Sequence, residues 1–258
     1  MARFVYDITS RTNPLIKKTA SLATSKGRRE NGEFLFEGVK LFNEAVESKV
    51  RFSYIVITEA VKPVLQKQID LPDTDIYVVP DTCFEKITTE KAPQGIVCVA
   101  KQPTVTDITE TDMMRPALIL SDIQDAGNLG TIIRTTKALA DIDIVLFGNT
   151  ADIFGPKCIR ASMGSVFKQS IYSCSDFEKA VALYNKNGKT VYAAALKDNA
   201  EDIRKCDLHN SVVVLGNEGH GLSDKQISCC KPMIIPMLGM ESLNVASAAT
   251  VVIWEMVK

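Results

Sequence analysis

Short apolar runs alternate with amphipathic stretches along the second half of the chain. The apolar runs are predicted to be buried strands at Ala117–Ser121, Ile142–Phe147, Thr190–Ala194, Val212–Leu215 and Met233–Ile235. The stretches between them repeat apolar residues at helical spacing and are predicted to be helices at Asn128–Ala140, Phe177–Asn187, Ser223–Cys229 and Leu243–Val257. This alternation is typical of a parallel sheet that is covered by helices on both faces.

The first part of the chain shows the same alternation on a smaller scale. Its predicted strands are Phe34–Phe36, Tyr54–Ile57, Ile76–Val79 and Ile96–Val99, with helices at Gly38–Glu47 and Cys83–Thr88. Residues 105–115 are polar and unpatterned, and we interpret them as a linker. The sequence therefore predicts a small α/β domain over residues 1–104 and a parallel-sheet α/β domain over residues 116–258.

Charge is balanced over the whole chain but not at its start. The net charge of −1 argues against a histone-like binder of nucleic acid. Residues 1–29, in contrast, hold seven basic side chains against the single acid Asp7, a net charge of +6. Asn13-Pro14 predicts a helix start, and a loop is expected at Ser25–Arg29. The basic side chains could contact RNA phosphates or could form an ordinary solvated face; the candidates are Lys17, Lys18, Lys26, Arg28 and Arg29.

Several classes of protein are disfavoured. No apolar run approaches the roughly 20 residues that a membrane-spanning helix needs, and the first residues lack the apolar core of a signal peptide. We therefore expect a soluble protein of the cytoplasm. The seven cysteines form no C-x-x-C pair and the two histidines supply no helical ligand pair, so we expect reduced thiols and no metal site.

Three loops that follow predicted strands hold the residues that could carry chemistry, because parallel sheets bind ligands beyond the carboxyl ends of their strands. The first loop opens the helix that starts at Asn128, a residue able to cap the helix or contact a ligand. Gly130 lies on the same helix face as Arg134 and leaves room beside the guanidinium. The alternative is an ordinary capped helix with a surface arginine.

The second loop has the sequence Gly216-Asn217-Glu218-Gly219-His220-Gly221. Its glycines allow close approach of the backbone to a ligand. Their order differs from the dinucleotide-binding fingerprint, and the chain has no Walker A motif. Glu218 is unusual beside so many free amides, whereas His220 is interpreted as a loop residue without a chemical role.

The third loop precedes the last predicted helix, Leu243–Val257, which is apolar almost all round. Such a helix is expected to be buried within the fold, in a dimer contact, or in both. The polar residues Ser242 and Asn244 at its entrance would be costly there unless their hydrogen bonds are satisfied.

Together the three loops resemble the motifs of the SpoU branch of the SPOUT methyltransferases. The motifs are N-x-G-x-x-x-R from Asn128, G-N-E-G-x-G from Gly216 and P-M-x-G-x-x-S-L-N-V-A from Pro236. The resemblance covers residues 117–258. The first domain is similar to the RNA-binding domain that precedes this catalytic domain and resembles a kink-turn-binding ribosomal protein; its landmarks are Phe36–Gly38 and Ala92–Val97.

The resemblance implies a catalytic domain with a deep trefoil knot, S-adenosylmethionine as cofactor, a homodimer through the C-terminal domain, and methylation of ribose 2′-hydroxyls in RNA. It implies a catalytic cluster of Asn128, Arg134, Glu218, Ser242 and Asn244. It implies cofactor contacts from Leu215, Gly216, Ile235, Met237 and Leu243, with main-chain groups near Leu215 and Met237 holding the adenine.

The family resemblance also suggests Arg134 as the base that removes the hydroxyl proton. Neutralising an ordinary guanidinium at pH 7 costs about 8 kcal/mol, however. We therefore expect Arg134 to stay charged, to hold the target phosphate and to polarise the hydroxyl, while the proton passes to Glu218 or to water.

The RNA itself is predicted less sharply. A basic N-terminal segment and a separate RNA-binding domain suit a large structured RNA, and large-subunit ribosomal RNA is the usual target of family members with this layout. Transfer RNA is the second candidate. A catalytically inactive RNA-binding or ribosome assembly factor with the same fold is a third, which the intact catalytic cluster disfavours.

Overall fold

The computed structural model of the protein describes residues 3–67, 71–239 and 242–258. The strands are β1 (Arg3–Val5), β2 (Glu33–Glu37), β3 (Phe52–Ile57), β4 (Asp75–Val78), β5 (Ile96–Lys101), β6 (Ala117–Ser121), β7 (Asp143–Phe147), β8 (Ile171–Cys174), β9 (Thr190–Ala194), β10 (Glu201–Asp202), β11 (Ser211–Leu215) and β12 (Lys231–Ile234). The helices are α1 (Pro14–Ser21), α2 (Ser25–Asn31), α3 (Val39–Glu47), α4 (Lys62–Gln66), α5 (Asp81–Phe84), α6 (Ala126–Leu139), α7 (Pro156–Ser162), α8 (Phe177–Lys186), α9 (Asp224–Ser228) and α10 (Val245–Val257).

These elements form two compact units. The first unit contains the described residues up to Pro103 and the segment Asp152–Phe167. The second contains Thr104–Ala151 and the described residues from Lys168 onward. The division differs from the predicted domains in two respects. Asp152–Phe167 is predicted within the second domain but belongs to the first unit, and residues 105–115 are predicted as a linker but belong to the second unit.

The first unit is built on a mixed sheet in the strand order β1-β4-β3-β5-β2. Strands β1, β4 and β3 run parallel, whereas β5 is antiparallel to both β3 and β2. The apolar runs predicted from the sequence correspond to β2, β3, β4 and β5. Strand β1 is missing from the prediction because its few residues, Arg3–Val5, are too short to show a pattern.

The basic segment expected as a loop, Ser25–Arg29, lies in helix α2 instead. Thr24 caps the helix with its Oγ1, which accepts the backbone N–H of Gly27 at 3.1 Å, and Gly32 ends it in the left-handed region at a φ of 60°. The glycine within α2 hid the helix from the sequence pattern. It has a packing role, since a Cβ at Gly27 would lie 2.1 Å from the carbonyl oxygen of Ser21.

A buried ion pair joins the segment Asp152–Phe167 to the rest of the first unit. Arg28 is only 4% exposed, and its Nε and Nη2 lie 2.8 and 2.7 Å from Oδ2 of Asp152. Its Nη1 donates to the carbonyl oxygens of Leu22 and Ala23. The guanidinium of Arg28 is therefore buried among partners within the fold and is not available to an RNA phosphate. The structure contradicts the prediction of Arg28 as an RNA contact.

The second unit is built on a sheet whose strands all run parallel, in the order β10-β12-β9-β11-β6-β7-β8. The predicted α/β class with a parallel sheet is confirmed. The central strands β6 and β11 are buried along their whole length, as their apolar runs indicate. Strands β8 and β10 are missing from the prediction because β8 has only four residues with Ser173 among them, and β10 has only two.

Residues 105–115, interpreted from the sequence as a linker, pack into the second unit. Ile108 and Met113 are buried in its core. Asp107 accepts the backbone N–H groups of Thr109 and Ser175 at 2.9 and 2.8 Å. Partial burial raises the pKa of Asp107, but hydrogen bonds from Ser175 and Thr109 outweigh burial and lower this pKa to about 2. Two buried apolar residues and the hydrogen bonds of Asp107 thus hold this segment in the second unit.

The C-terminal helix α10 packs against α6 and β11. Its inner face is buried, including Ala249, Val252 and Ile253, but Trp254 is 58% exposed. The expectation of a buried helix therefore holds for one face of α10, and the other face keeps an exposed aromatic side chain. None of the described helices is long and apolar enough to span a bilayer.

We expect Arg28→Met to lower the free energy of unfolding by about 2–4 kcal/mol. The substitution leaves Asp152 and two carbonyl oxygens without their donor in a buried setting. Urea denaturation followed by circular dichroism measures the loss. The neighbouring substitution Arg29→Met is the matched control, because Arg29 is exposed and its removal should change stability by less than about 0.5 kcal/mol. Equal losses in the two variants would contradict the structural role of Arg28.

Candidate active site

A chain of hydrogen bonds connects the three motif loops at the carboxyl edge of the parallel sheet. Nδ2 of Asn128 donates to Oε1 of Glu218 at 3.0 Å. Nδ2 of Asn244 donates to Oδ1 of Asn128 at 3.1 Å. We call these three residues the Asn–Asn–Glu relay. Residues far apart in the sequence therefore meet in space, as the positions of the loops after parallel strands predict.

The helix cap formed by Asn244 directs its side chain toward Asn128, whose own side chain takes no part in a cap. Asp125 caps α6 by accepting the backbone N–H of Asn128 at 2.8 Å, which leaves the side-chain amide of Asn128 free for the relay. Asn244 caps α10, with its Oδ1 accepting the backbone N–H groups of Ala246 and Ser247 at 2.9 and 3.3 Å. Because Oδ1 of Asn244 faces its helix, Nδ2 is the atom that points toward Asn128.

The loop that carries Glu218 is held in a closed turn by its neighbour Asn217. Oδ1 of Asn217 accepts the backbone N–H of Gly219 at 2.8 Å, and its Nδ2 donates to the carbonyl oxygen of Asp122 at 2.9 Å. A Cβ at Gly216 would lie 2.5 Å from the carbonyl carbon of Gly221, so the turn closes only around a glycine. Glu218 is left exposed at the tip of this turn.

Two other predicted catalytic residues lie outside the relay. Arg134 is exposed on α6, and its guanidinium makes no hydrogen bond or ion pair with any residue that the structure describes. Ser242 is exposed at the approach to α10 and likewise makes no hydrogen bond within the described part of the chain. Both side chains are thus available to a ligand, but the fold does not fix their direction through polar contacts.

A cavity of about 700 Å³ opens beside the relay. Its walls contain all the residues predicted to contact a cofactor and two of the predicted catalytic residues, Glu218 and Ser242. The cofactor candidates in the wall are Leu215, Gly216, Ile235, Met237 and Leu243. Most of these side chains are apolar and come from the ends of β11 and β12 and from the approach to α10, so the cavity suits a ligand with an apolar body.

Sequence reasoning missed two features of this region. The segment Ala194–Lys197 lines the same cavity but carries no motif; its only signal is that it follows a predicted strand. Gln226 is buried on α9, donates from Nε2 to Oγ of Ser121 at 2.8 Å, and accepts the backbone N–H of Ser223 at 2.9 Å. Gln226 thus connects the residue Ser223, after the second motif loop, to the end of β6. The sequence gives no sign of this role, because Gln226 is a single polar residue in a short helix.

The candidate RNA contacts of the first unit fall into two groups. Lys17, Lys26 and Arg29 are exposed. Lys18 instead lies 2.6 Å from Oε2 of the buried Glu33. Burial raises the pKa of Glu33, but hydrogen bonds from Lys101, Lys18 and Ser53 outweigh it and lower this pKa. Lys18 thus stabilises a buried carboxylate, so the basic segment offers fewer free cations than its sequence indicates.

Neither metal nor disulfide chemistry is evident in the parts of the chain that the structure describes. No group of three or more His, Cys, Asp or Glu side chains there could hold a metal ion. The seven cysteines are free thiols. Burial raises the pKa of Cys158 and of Cys230 to about 12, which keeps both thiols protonated at neutral pH.

Comparisons with known proteins match both halves of the chain. The SpoU rRNA methylase family matches residues 115–254, and the MRM3-like substrate-binding domain matches residues 13–98. The chain is 30% identical over 96% of its length to the 23S rRNA (guanosine(2553)-2′-O)-methyltransferase RlmP of Bacillus subtilis, of which 98% is covered. The tRNA (guanosine(18)-2′-O)-methyltransferase of Thermus thermophilus is 33% identical, but over only 54% of this chain and 72% of its own.

A solved structure agrees with the fold. The AdoMet-bound rRNA methyltransferase from Sinorhizobium meliloti superposes with a TM-score of 0.84 and is 30% identical. The alignment covers 99% of this chain and 97% of that protein.

Two substitutions at Asn244 separate its cap from its relay bond. Asn244→Asp keeps the oxygen that caps α10 but removes the N–H that reaches Asn128. Asn244→Ala removes both. We expect Asn244→Ala to be less stable than Asn244→Asp by about 1 kcal/mol in urea denaturation, whereas both variants should shift the NMR signals of the Asn128 side-chain amide. An unshifted Asn128 amide in Asn244→Asp would contradict the relay bond.

Proposed function

The chain belongs to the SpoU rRNA methylase family, and from this premise we propose that it methylates a ribose 2′-hydroxyl of large-subunit ribosomal RNA. It is an S-adenosylmethionine-dependent RNA methyltransferase. The observation that carries the proposal is the meeting of the three motif loops in the Asn–Asn–Glu relay beside one cavity.

The residues of the cavity fit S-adenosylmethionine. A volume of about 700 Å³ lies within the range of small-molecule sites. Gly216, which cannot carry a side chain without a clash, keeps backbone groups at the wall, and Leu215, Ile235, Met237 and Leu243 supply apolar surface. We propose that these five residues hold the cofactor. When bound, the cofactor would supply a methyl group that is attached to a positively charged sulfur. Loss of this methyl group would leave the rest of the cofactor as a neutral thioether.

In this proposal the protein's own residues must hold the ribose and receive its proton. Glu218 accepts the proton of the 2′-hydroxyl, directly or through water, and Asn128 orients its carboxylate through the bond at 3.0 Å. Arg134 stays charged, holds the phosphate of the target nucleotide and polarises the hydroxyl. Asn244 and Ser242 orient Asn128 and the ribose. Arg134 makes no polar contact with the residues that the structure describes, which supports this role.

Positioning is expected to contribute more than proton removal. Alignment of reacting groups can supply roughly 7–11 kcal/mol, whereas a general base contributes about 10²–10⁴-fold. The relay fits this order of importance, because the cap of α10 and the relay bonds hold Asn244 and Asn128 in place before any substrate arrives.

Two observations favour ribosomal RNA over transfer RNA as the substrate. The similarity to a 23S rRNA enzyme extends over both units, whereas the similarity to a tRNA enzyme is limited to about half of the chain. The first unit matches a substrate-binding domain model.

Mapping of ribose methylation in cellular RNA, with and without the protein, tests this function. A new modification confined to tRNA would favour the second candidate. Cofactor uptake without any RNA methylation would favour the inactive assembly factor.

We also propose the homodimer and the knot that the family implies. Trp254 and Leu139 on the neighbouring helices α10 and α6 are exposed, and they could form an apolar dimer surface.

The last elements of the chain support a knot. Strand β12 pairs with β9 on one side of β11, and α10 then returns to α6, which follows β6 on the other side.

Replacement of Arg134 by lysine tests its role. Arg134→Lys keeps the charge but loses the planar fork that grips a phosphate, so we expect kcat to fall about 10- to 100-fold while the Kd for S-adenosylmethionine stays unchanged. Methyl transfer to ribosomal RNA and calorimetry measure the two quantities. Lys137→Ala, one turn further along α6, is the control and should leave kcat unchanged. Near-normal turnover in Arg134→Lys would contradict the proposal.

The exposed cations of the first unit give a second test. Lys17→Ala and Arg29→Ala together should weaken binding of large-subunit rRNA and lower the slope of log K against log salt by up to about 0.9 for each lost phosphate contact. Cofactor affinity should not change. The double variant Lys179→Ala and Lys186→Ala, which removes two exposed lysines of α8, is the control. Unchanged RNA affinity in the first pair would remove this segment from the RNA site.

A further inference from the structure

A second cavity of about 590 Å³ lies in the second unit, next to the cofactor cavity. The two cavities share wall residues, among them His220, Gly221 and Ser223 at the end of the second motif loop. The second cavity therefore lies beside the loop that carries Glu218, on the other side of these shared residues from the cofactor cavity. The roles proposed above for the relay, Arg134, Ser242 and the cofactor cavity do not involve the second cavity.

The wall of this cavity contains a carboxylate that the fold holds in one orientation. The backbone N–H of Asn149 donates to Oδ1 of Asp122 at 2.7 Å, and Oγ of Ser121 donates to Oδ2 at 2.9 Å. A Cβ at Gly148 would lie 2.3 Å from Oδ1, so the carboxylate occupies space that exists only beside a glycine. Each oxygen of Asp122 receives one of these donors and keeps acceptor capacity for a ligand.

The direction of the serine hydroxyl is fixed as well. Nε2 of the buried Gln226 donates to Oγ of Ser121 at 2.8 Å, so the serine proton is directed to Asp122. The carbonyl oxygen of Asp122 also accepts Nδ2 of Asn217, the residue that closes the loop of Glu218. The same residue thus lines the second cavity and anchors the loop that carries the proposed proton acceptor.

The rest of the wall is aromatic and acidic. Phe147 and Phe177 line it, with their ring centroids 5.3 Å apart. Asp176 and Glu178 also line it, and Lys225 pairs with Glu178. Carboxylates repel phosphate groups, so this cavity does not suit the RNA backbone. Phe177 is 5% exposed and belongs to the core, so the partly exposed ring of Phe147 is the aromatic surface that faces the cavity. The cavity suits a flat group with N–H donors on its edge, which the carboxylates can accept.

We propose that this cavity binds the base of the nucleotide whose ribose is methylated, and that the base is guanine. The proposal rests on the function proposed above and specifies its substrate. Guanine presents two adjacent donors, N1–H and the 2-amino group, which match the two oxygens of the Asp122 carboxylate. Adenine and cytosine present one amino donor beside an acceptor nitrogen, and uracil presents one N–H between two carbonyl groups; these edges match a carboxylate less well.

The first experiment identifies the target base. Ribose methylation is mapped after the wild-type protein and S-adenosylmethionine act on large-subunit rRNA that lacks its methyl groups. We expect a single guanosine. An RNA oligonucleotide that spans this guanosine is then prepared with inosine in its place, which lacks only the 2-amino group. We expect kcat/KM to fall at least 10-fold, because a site built to bind an N–H group rejects the analogue without it.

The second experiment assigns the effect to Asp122. Asp122→Asn keeps an oxygen for the N–H of Asn149 but loses the double acceptor, so kcat/KM on the guanosine RNA should fall at least 10-fold. In this variant the change from guanosine to inosine should have less than a 3-fold effect. The Kd for S-adenosylmethionine should not change. Asp207→Asn, an equal loss of charge on an exposed residue outside both cavities, is the control.

The outcomes separate this proposal from the function on which it rests. Methylation of a nucleotide other than guanosine, equal turnover of the guanosine and inosine RNAs, or an unchanged response to inosine in Asp122→Asn would each overturn the base site while leaving the methyltransferase intact. Absence of any ribose methylation by the wild-type protein would overturn both. Because the inosine measurement uses the wild-type protein, it decides the question even if the variant folds poorly.

Discussion

The parallel pairing of β11 with β6 is the constraint on which the candidate active site depends. Their register aligns Leu215 with Leu120, so both strands deliver their following loops to the same edge, about 5 Å apart. That spacing lets Asn128, in the first turn of α6, reach Glu218 on the loop after β11, although 90 positions separate them. Without this pairing, Asn128 and Asn244 at the starts of α6 and α10 would not meet Glu218, and the relay would not form.

The sequence is most informative where burial is complete. Strands β6 and β11 are apolar at almost every position because both faces of a parallel sheet are covered, and such runs are easy to predict. Strand β8 is harder to predict, since it has four residues, of which only Cys174 is buried and Ser173 is polar. Residues 105–115 are interpreted from the sequence as a linker because two buried apolar residues, Ile108 and Met113, are too few to give a pattern. In the structure both residues pack into the core of the second unit and hold the segment there.

The site was predicted through its motifs rather than through its geometry. Asn128, Glu218 and Asn244 were expected in one cluster because three loops matched a known family, and the hydrogen bonds then place them together. Residues that act through contacts carry no comparable signal. Gln226 is one polar residue in a short helix, and only the structure reveals that it holds Ser121 and Ser223. Charge was a weaker guide still, since Arg28 and Lys18 neutralise Asp152 and Glu33 within the fold.

The distribution of charge suggests how an RNA enzyme with a net charge of −1 divides its work. Affinity for RNA comes mainly from cations that displace counterions from phosphates, and exposed examples, Lys17 and Arg29, lie in the first unit. The carboxyl edge of the sheet in the second unit carries the carboxylates of Glu218 and Asp122, and Arg134 on α6 is a cation that has no partner among the described residues. In the proposed reaction these carboxylates lie near the ribose, where they would weaken binding of the RNA backbone by charge repulsion. We therefore expect the first unit to supply most of the binding energy, and the second unit to use it in selecting and aligning one nucleotide.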